Sequence, residues 1–370
     1  MSLLVDGLGL GRPSGEVAVE RALSEVRAGR GVLVEGDDAA VLVLAAETFD
    51  AGAGAALQAL GARAARLVLP APRLMKLGAP RPHAGVVALP QLDAARIAAL
   101  ALRMDASVDA PVAPAGALDL AALELLGLAL ALPAAVVAVL PDEALAGVMR
   151  VRQAQVMGYR ASQVARLRIV GRAPVPLEGA VETEFVVFRG GEGLRDQVAI
   201  VVGRPDLAAP VAVRLHSACL TGDLFGSLKC DCGDQLRDTV RHMAQGEGGI
   251  LLYLDQEGRG NGISNKMRAY ALQAQGFDTY DADAALGFDL DQRRFDFAAV
   301  MLRQLGVGAV KVLTNNPQKI AALRAGGLDV VSDQRVLGRP TAENARYLAS
   351  KRDRAGHYID FEALVASAPD

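Results

Sequence analysis

The sequence predicts an α/β protein with mixed sheets, divided into two domains. Short apolar strands alternate with helical patterns along the first half, and in the second half strands run into polar loops that precede helices. The 370 residues exceed the length at which a single hydrophobic core stops growing. We therefore expect an N-terminal α/β domain over residues 1–170, a linker rich in proline and glycine over 171–179, and a C-terminal domain over 180–370.

Apolar periodicity places the elements along the chain. A helix is predicted over Val17–Arg27. Strands are predicted at seven short apolar runs, namely Gly31–Val34, Val41–Leu44, Val181–Arg189, Val198–Val202, Val211–Leu215, Gly249–Leu254 and Val310–Leu313. The last three strands each run into a polar loop, and α/β folds bind ligands at such strand ends.

One apolar run, Leu118–Leu140, is long enough to cross a bilayer. Two carboxylates, Asp119 and Glu124, lie inside it, and Pro133 divides it. We therefore interpret the run as a buried helix followed by a parallel-type strand, Ala135–Leu140, and expect no membrane partner.

Composition excludes several classes of partner. The formal net charge is −3 and the isoelectric point about 5.9, so no basic field favours nucleic acid or an anionic membrane. The first residues lack the charged and apolar regions of a signal peptide. We expect a cytoplasmic protein, and in that reducing compartment clustered cysteines bind metal more often than they pair.

All three cysteines, Cys219, Cys230 and Cys232, fall in one short window. Three thiolates make an incomplete tetrahedral zinc shell, which leaves a position for water or substrate. A closed Cys3His site that uses His216 or His242 is the first rival interpretation. Three unligated, buried cysteines that act as small hydrophobic residues are the second.

Two further loops suit phosphate groups. Three glycines and Arg259 follow the strand that ends at Leu254, so backbone N–H groups and a guanidinium can approach an anion. Asn316 is a candidate N-cap and Pro317 a first helical residue, and the helix N-terminus they predict attracts anions. An ordinary turn and simple capping are the alternatives. Together with a metal, these loops suggest a nucleotide polyphosphate.

Two other patterns admit two interpretations each. Gln235 lies in the first turn of the helix predicted after Cys232, where it suits the edge of a purine or is an ordinary solvated residue. Lys266 and Tyr270 are four residues apart on one helix face, either near a ligand or as an exposed pair.

Four runs together resemble one known family. They are RLHSACLTGDLFGSLKCDCG from residue 214, DQEGRGNGISNKMRAYALQ from 255, LGFDLDQRRF from 286 and LTNNPQK from 313. In order and spacing they closely resemble GTP cyclohydrolase II of riboflavin biosynthesis, over roughly residues 180–335. The resemblance implies hydrolysis of GTP to 2,5-diamino-6-(5-phosphoribosylamino)pyrimidin-4(3H)-one, formate and diphosphate.

The resemblance also implies roles for individual residues. The three cysteines match the ligands of one zinc ion per subunit, Asp291 the proton acceptor, Arg293 a nucleophile toward the α-phosphate, and Tyr270 a residue near the reacting ring. Because a guanidinium is effectively always protonated, charge stabilisation explains Arg293 equally well. Positions that hold GTP are Arg214, Leu215, His216, Ser217, Gln235, Glu257, Gly258, Arg259, Thr279, Thr314 and Lys319. Magnesium on the triphosphate and a homodimer are also implied.

The chain departs from the family pattern in two places. Ala218 stands where many members have glutamate before the first zinc cysteine, which removes one polar contact. The N-terminal half resembles 3,4-dihydroxy-2-butanone 4-phosphate synthase only weakly, because the stretches Glu35–Glu47 and Ala113–Asp119 lack its dense acidic cluster and its histidine. We expect a synthase-like domain without synthase activity, kept for packing, dimerisation or regulation; an unrelated α/β domain is the alternative.

The sequence is therefore compatible with three functions. The first is GTP cyclohydrolase II, and the second is a related zinc hydrolase that acts on another nucleotide. The third is a non-catalytic, nucleotide-binding regulator stiffened by a Cys3His zinc.

Overall fold

The chain folds into two compact units, each built on a seven-stranded sheet. The computed structural model describes residues 15–192, 195–289, 291–336, 352–354, 356 and 358. Of these, the first unit contains 15–162 and 281–289, and the second contains 163–280 and the described residues from 291 onward. The predicted α/β class with mixed sheets is confirmed.

The first unit has a mostly antiparallel sheet. Its strands are β1 (Val32–Glu35), β2 (Ala40–Ala45), β3 (Arg63–Leu69), β4 (Gly85–Ala88), β5 (Val112–Pro114), β6 (Ala135–Val139) and β7 (Met149–Arg152). Its helices are α1 (Gly15–Arg27), α2 (Ala51–Ala59), α3 (Ala71–Lys76), α4 (Ala94–Leu102) and α5 (Ala117–Leu128), and α6 (Gln153–Ala165) leads into the second unit. The strand order is β5-β4-β3-β6-β2-β1-β7, with only β1 and β7 parallel.

The apolar run in this unit forms a helix and a strand, as predicted, but the helix is buried on one face only: Leu125 and Leu126 lie in the core, whereas Leu120 is 45% exposed. Helix α5 ends at Leu128 and β6 begins at Ala135, and no helix among the described residues is long and apolar enough to span a membrane. The expected parallel direction of β6 is wrong, because β6 pairs antiparallel with both β2 and β3. A continuous run of apolar residues indicates that a strand is buried on both faces. A central antiparallel strand is buried in the same way, so the run does not distinguish the two directions.

The second unit has a mixed sheet. Its strands are β8 (Arg168–Pro174), β9 (Thr183–Glu192), β10 (Arg195–Val202), β11 (Val211–Ser217), β12 (Gly249–Leu254), β13 (Ala309–Leu313) and β14 (Asp329–Gln334). Its helices are α7 (Cys232–Gln245), α8 (Ile263–Ala274), α9 (Thr279–Ala285), which begins here and ends in the first unit, α10 (Asp296–Gln304) and α11 (Pro317–Ala325). In the order β14-β13-β11-β12-β10-β9-β8, the first four strands are parallel and the rest antiparallel.

Helices cover both faces of this second sheet. Along β12, Leu252 packs in the cluster that contains Phe297 of α10, whereas Leu251 packs with Met243 of α7. This alternation follows from the two-residue period of a strand. Because β13, β11 and β12 are parallel neighbours, the polar loops that follow them meet at one edge of the sheet.

The structure departs from the predicted domain organisation in three ways. Residues 163–170 belong to the second unit rather than to the N-terminal domain. Residues 171–174 are not part of a linker, because they belong to β8, which pairs with β9. An edge strand tolerates the glycine and proline that suggested a linker. The chain also returns to the first unit over residues 281–289, whereas the prediction assumed that each domain is one continuous segment.

Candidate active site

The loop between β11 and α7 brings the three cysteine sulfurs together. A single π-type turn over Leu220–Leu224 folds the loop back, and all three sulfurs lie within 4.8 Å of one another. The Sγ atoms of Cys219 and Cys230 are 3.6 Å apart. Zinc–sulfur bonds of about 2.3 Å in a tetrahedral site place two sulfurs about 3.8 Å apart. The cysteine triad therefore fits zinc, and it is the only group of three or more His, Cys, Asp or Glu residues near enough to share a metal in the described part of the chain.

Gly222 lets the loop pass directly against this triad. A Cβ atom at this position would lie 2.7 Å from the Sγ of Cys230 and 3.0 Å from that of Cys219. Both distances are shorter than ordinary van der Waals contacts, so only glycine fits without displacing a sulfur. The loop is shaped around the sulfurs.

The protonation of the triad also favours a cation. Hydrogen bonds from the thiols of Cys230 and Cys232, together with the ammonium of Lys266, hold the pKa of Cys219 far below its usual value. The same contact with Cys219 raises the pKa of Cys230 to about 11, and it raises that of Cys232 as well. The second and third thiols therefore ionise only with difficulty on their own, and a divalent metal would stabilise all three thiolates.

The two histidines have other contacts. Nε2 of the buried His216 lies 3.1 Å from both carboxylate oxygens of Asp223. Burial lowers the pKa of His216, so its ring is neutral and Nε2–H donates to the carboxylate. His242 follows Cys232 by ten residues on α7, which places it about 15 Å along the helix axis. The geometry thus favours the open triad over a Cys3His site.

Asp223, whose side chain is 6% exposed, is a residue of the site that the sequence did not predict. Besides His216, it accepts hydrogen bonds from the backbone N–H of Cys219 at 2.9 Å and from the hydroxyl of Tyr253 at 3.0 Å. Its carboxylate therefore joins the first cysteine to the end of β11. The one sequence feature that could have indicated this role is its position four residues after Cys219, in the same loop.

Lys266 is the second residue that the sequence did not assign to the site. Its Nζ contacts the Sγ of Cys219 at 3.2 Å and the Oε1 of Glu257 at 2.8 Å, and its side chain is only 10% exposed. The exposed-pair interpretation of Lys266 and Tyr270 is therefore wrong. Burial raises the pKa of Tyr270 to about 12, so its hydroxyl remains protonated at neutral pH.

The glycine loop after β12 joins the metal loop through Glu257. One carboxylate oxygen of Glu257 accepts from the backbone N–H of Leu220, and the other accepts from that of Gly258. Gly258 and Arg259 both adopt left-handed backbone conformations, with φ of 61° and 60°. For Arg259 this conformation costs about 1–2 kcal/mol, and such strain concentrates at functional sites. Its guanidinium lies over the ring of Tyr280, 4.0 Å from the centroid.

Asp291 and Arg293 form a bidentate ion pair. Nε and Nη2 of Arg293 donate to the two carboxylate oxygens of Asp291 at 2.8 and 2.6 Å. Burial alone would raise the pKa of Asp291, but the charge and hydrogen bonds of Arg293 outweigh it and lower that pKa. A guanidinium paired in this way stays protonated. The ring of Phe295 lies next to both Arg293 and Lys319, at 5.5 and 5.3 Å.

Basic and amide side chains line the ends of the parallel strands. Arg214 donates to the carbonyl of Leu313 at 3.2 Å and to the Oε1 of Gln235 at 2.5 Å. Nζ of Lys319 donates to the carbonyl of Leu215 at 2.6 Å. Gln235 is therefore hydrogen-bonded within this edge rather than simply solvated.

Three buried polar atoms at this edge have no hydrogen-bond partner within the described structure: Nε of Arg214, Oγ of Ser217 and Nδ2 of Asn316. Asn316 caps α11 through its Oδ1, as predicted, which leaves its amide group to donate elsewhere. Thr314 accepts from the backbone N–H of Asn316, and Thr279 begins α9 next to Tyr280. Leaving buried polar groups unpaired costs about 1–3 kcal/mol each, so this edge is suited to a polar ligand.

Comparison with known proteins decides the family. A GTP cyclohydrolase II from Xylella fastidiosa strain Temecula1 is 43% identical over 357 residues, which covers 95% of this chain and 90% of that protein. The chain belongs to the GTP cyclohydrolase II family. A sequence profile of this family matches residues 168–335. A GTP cyclohydrolase II from Azospirillum brasilense is 44% identical over 250 residues, or 65% of each chain.

The alignment with the Xylella protein also bears on the first unit. Because it covers 95% of this chain, it includes most of the N-terminal half, so a relative named for GTP cyclohydrolase II shares that half. Among solved structures, RibBX, a two-domain 3,4-dihydroxy-2-butanone 4-phosphate synthase from A. baumannii, matches with a TM-score of 0.32 and 17% identity over 86% of this chain and 99% of that one. That likeness is too slight to inform the fold or function.

Proposed function

We propose that this protein hydrolyses GTP to 2,5-diamino-6-(5-phosphoribosylamino)pyrimidin-4(3H)-one, formate and diphosphate, the first step of riboflavin biosynthesis. The observation that carries the proposal is the open cysteine triad beside a row of buried, unpaired polar atoms at the ends of the parallel strands. An open metal position supports catalysis, whereas a binding protein has no need of one.

Each group near the triad has a chemical role in this proposal. A zinc ion held by the three sulfurs would supply a water molecule whose pKa is lowered towards about 7. The ammonium of Lys266 offsets the charge of the thiolates, and the hydroxyl of Tyr270, protonated at neutral pH, is available to donate to the guanine ring. Asp291, ionised because of Arg293, accepts a proton.

The remaining side chains hold the nucleotide. Arg259, Arg293 and Lys319 supply positive charge for the triphosphate, and we propose that Arg293 stabilises charge at phosphorus rather than attacking it, because its guanidinium is already paired with Asp291. Gln235 and Arg214 form a hydrogen-bonded pair suited to the edge of the base. Leu215, His216, Ser217, Glu257, Gly258, Thr279 and Thr314 complete the proposed GTP site.

We also propose the setting of the reaction. Magnesium accompanies the triphosphate, held mostly by phosphate oxygens and water, and the enzyme works as a cytoplasmic homodimer. The first unit carries no synthase activity, because its stretches Glu35–Glu47 and Ala113–Asp119 lack the dense acidic cluster and the histidine of the synthase family.

Anaerobic incubation of zinc-loaded protein with GTP and magnesium tests the proposal, with formate and the pyrimidine product assayed together. Formate should form with the wild type and be lost in the Cys230→Ser and Asp291→Ala variants. Asp238→Ala, which removes an exposed carboxylate on α7, is the matched control and should retain activity. A folded, zinc-bound wild type that releases no formate would refute the proposal, and turnover of another nucleotide in preference to GTP would favour the related hydrolase.

A further inference from the structure

The segment between Tyr280 and Asp291 belongs to the first unit, although both flanking residues belong to the candidate active site. Tyr280 lies under the guanidinium of Arg259, and Asp291 pairs with Arg293. The chain therefore leaves the site, passes through the N-terminal unit over residues 281–289, and returns at the proposed proton acceptor.

Apolar packing buries this segment within the first unit. The side chains of Ala282, Ala285, Leu286 and Phe288 are each at most 6% exposed. Gly287 has a φ of +95°, and a Cβ at this position would lie 3.0 Å from Pro70 and 3.2 Å from Pro133, both residues of the first unit. A side chain at this position would crowd both prolines and would also be strained by the positive φ.

The positively charged guanidinium of Arg73, in α3, binds the backbone of the same segment. Its side chain is 1% exposed, and its guanidinium donates to four backbone carbonyls. Three of them end α4, namely those of Ala99, Leu100 and Arg103, and the fourth, at 2.7 Å, is that of Ala285, the last residue of α9. Helix C-termini present unpaired carbonyls and a partial negative charge, so one buried cation caps both helices.

We propose that Arg73 is a positioning residue for the reaction. By capping α9 it fixes the segment that delivers Asp291, so the N-terminal unit supports catalysis without contributing chemistry of its own. The inference rests on the proposed function, because the role of Asp291 is part of that proposal. In this inference the first unit has a structural role in GTP hydrolysis that does not depend on synthase activity.

Arg73→Met, which keeps the length of the side chain but removes every donor, tests the inference. The control is Arg66→Met, because Arg66 lies in the same unit and pairs with Asp119. Formate release gives kcat and KM, zinc analysis gives metal content, and hydrogen exchange follows the backbone amides of Leu286, Gly287 and Phe288, which are hydrogen-bonded in the wild type.

Arg73→Met should lower kcat by about 10- to 100-fold, with KM for GTP and zinc content nearly unchanged, and should speed exchange at residues 286–288. Arg73→Lys should restore part of both properties, and Arg66→Met should affect neither. An unchanged kcat, an unchanged exchange rate, or an equal loss in the Arg66 variant at matched thermal stability would overturn the inference. Absence of formate from the wild type would instead refute the proposed function, while the exchange rates would still report whether Arg73 holds the segment.

Discussion

Replacing Gly222 by alanine tests whether the loop after β11 is shaped around a metal. The added Cβ would lie 2.7 Å from the Sγ of Cys230, whereas ordinary contacts begin at 3.4 Å, so that sulfur must move by about 0.7 Å. Metal sites tolerate about 0.2 Å in ligand distances. We expect the zinc affinity to fall by about 10- to 100-fold, as when the residues that support a metal ligand are removed.

The experiment separates this steric effect from general damage to the loop. The φ of Gly222 lies outside the left-handed range that strains an L-residue, so the clash with the sulfurs is the main consequence of the change. Gly226→Ala is the matched control, because it introduces strain at a φ of +62° with no atom within 4 Å of the new Cβ. Competition with a chromophoric zinc chelator measures both affinities. Wild-type zinc affinity in Gly222→Ala, or an equal loss in both variants, would refute the reasoning.

Three further predictions concern charge and strain. Lys266→Met should lower formate release by about tenfold or more with zinc retained, because it removes the ammonium at 3.2 Å from Cys219; kinetics with zinc analysis check this. Arg293→Met should raise the pKa of Asp291, since burial then acts unopposed, and NMR titration measures it. In the wild type that lowered pKa stabilises the fold above about pH 4, and this contribution is lost as the pH falls through the folded-state pKa; urea unfolding of Arg293→Met should lack this step. Arg259→Gly should raise the KM for GTP about tenfold with little change in melting temperature, because relief of the left-handed strain offsets the lost contact with the ring of Tyr280; kinetics and thermal unfolding check this.

Local sequence signals predicted the elements that hold the site. The strand Gly249–Leu254 has the predicted bounds, and Asn316 and Pro317 cap and begin α11 as expected. These signals depend on residues a few positions apart, such as an apolar run or a capping side chain. The cysteine triad was visible for the same reason, because its three members lie within fourteen residues of one another.

Contacts that join distant residues were not predictable in this way. The hydrogen bond from Arg73 to Ala285 spans 212 positions, and no local pattern marks either residue. The direction of β6 was also missed, because burial patterns do not encode strand direction. Lys266 was seen as one of a helical pair, but its contact with Cys219 depends on how two loops fold together.

The central claim is that three cysteines hold zinc with one position open for chemistry, and zinc analysis of His216→Ala tests it most directly. Of the two candidate fourth ligands, His216 is nearer to the cysteines in sequence, and in the structure it pairs with Asp223. The account predicts that the variant retains one zinc ion per chain and loses mainly affinity for GTP. Loss of zinc from a folded His216→Ala protein would show a closed Cys3His site and contradict the account.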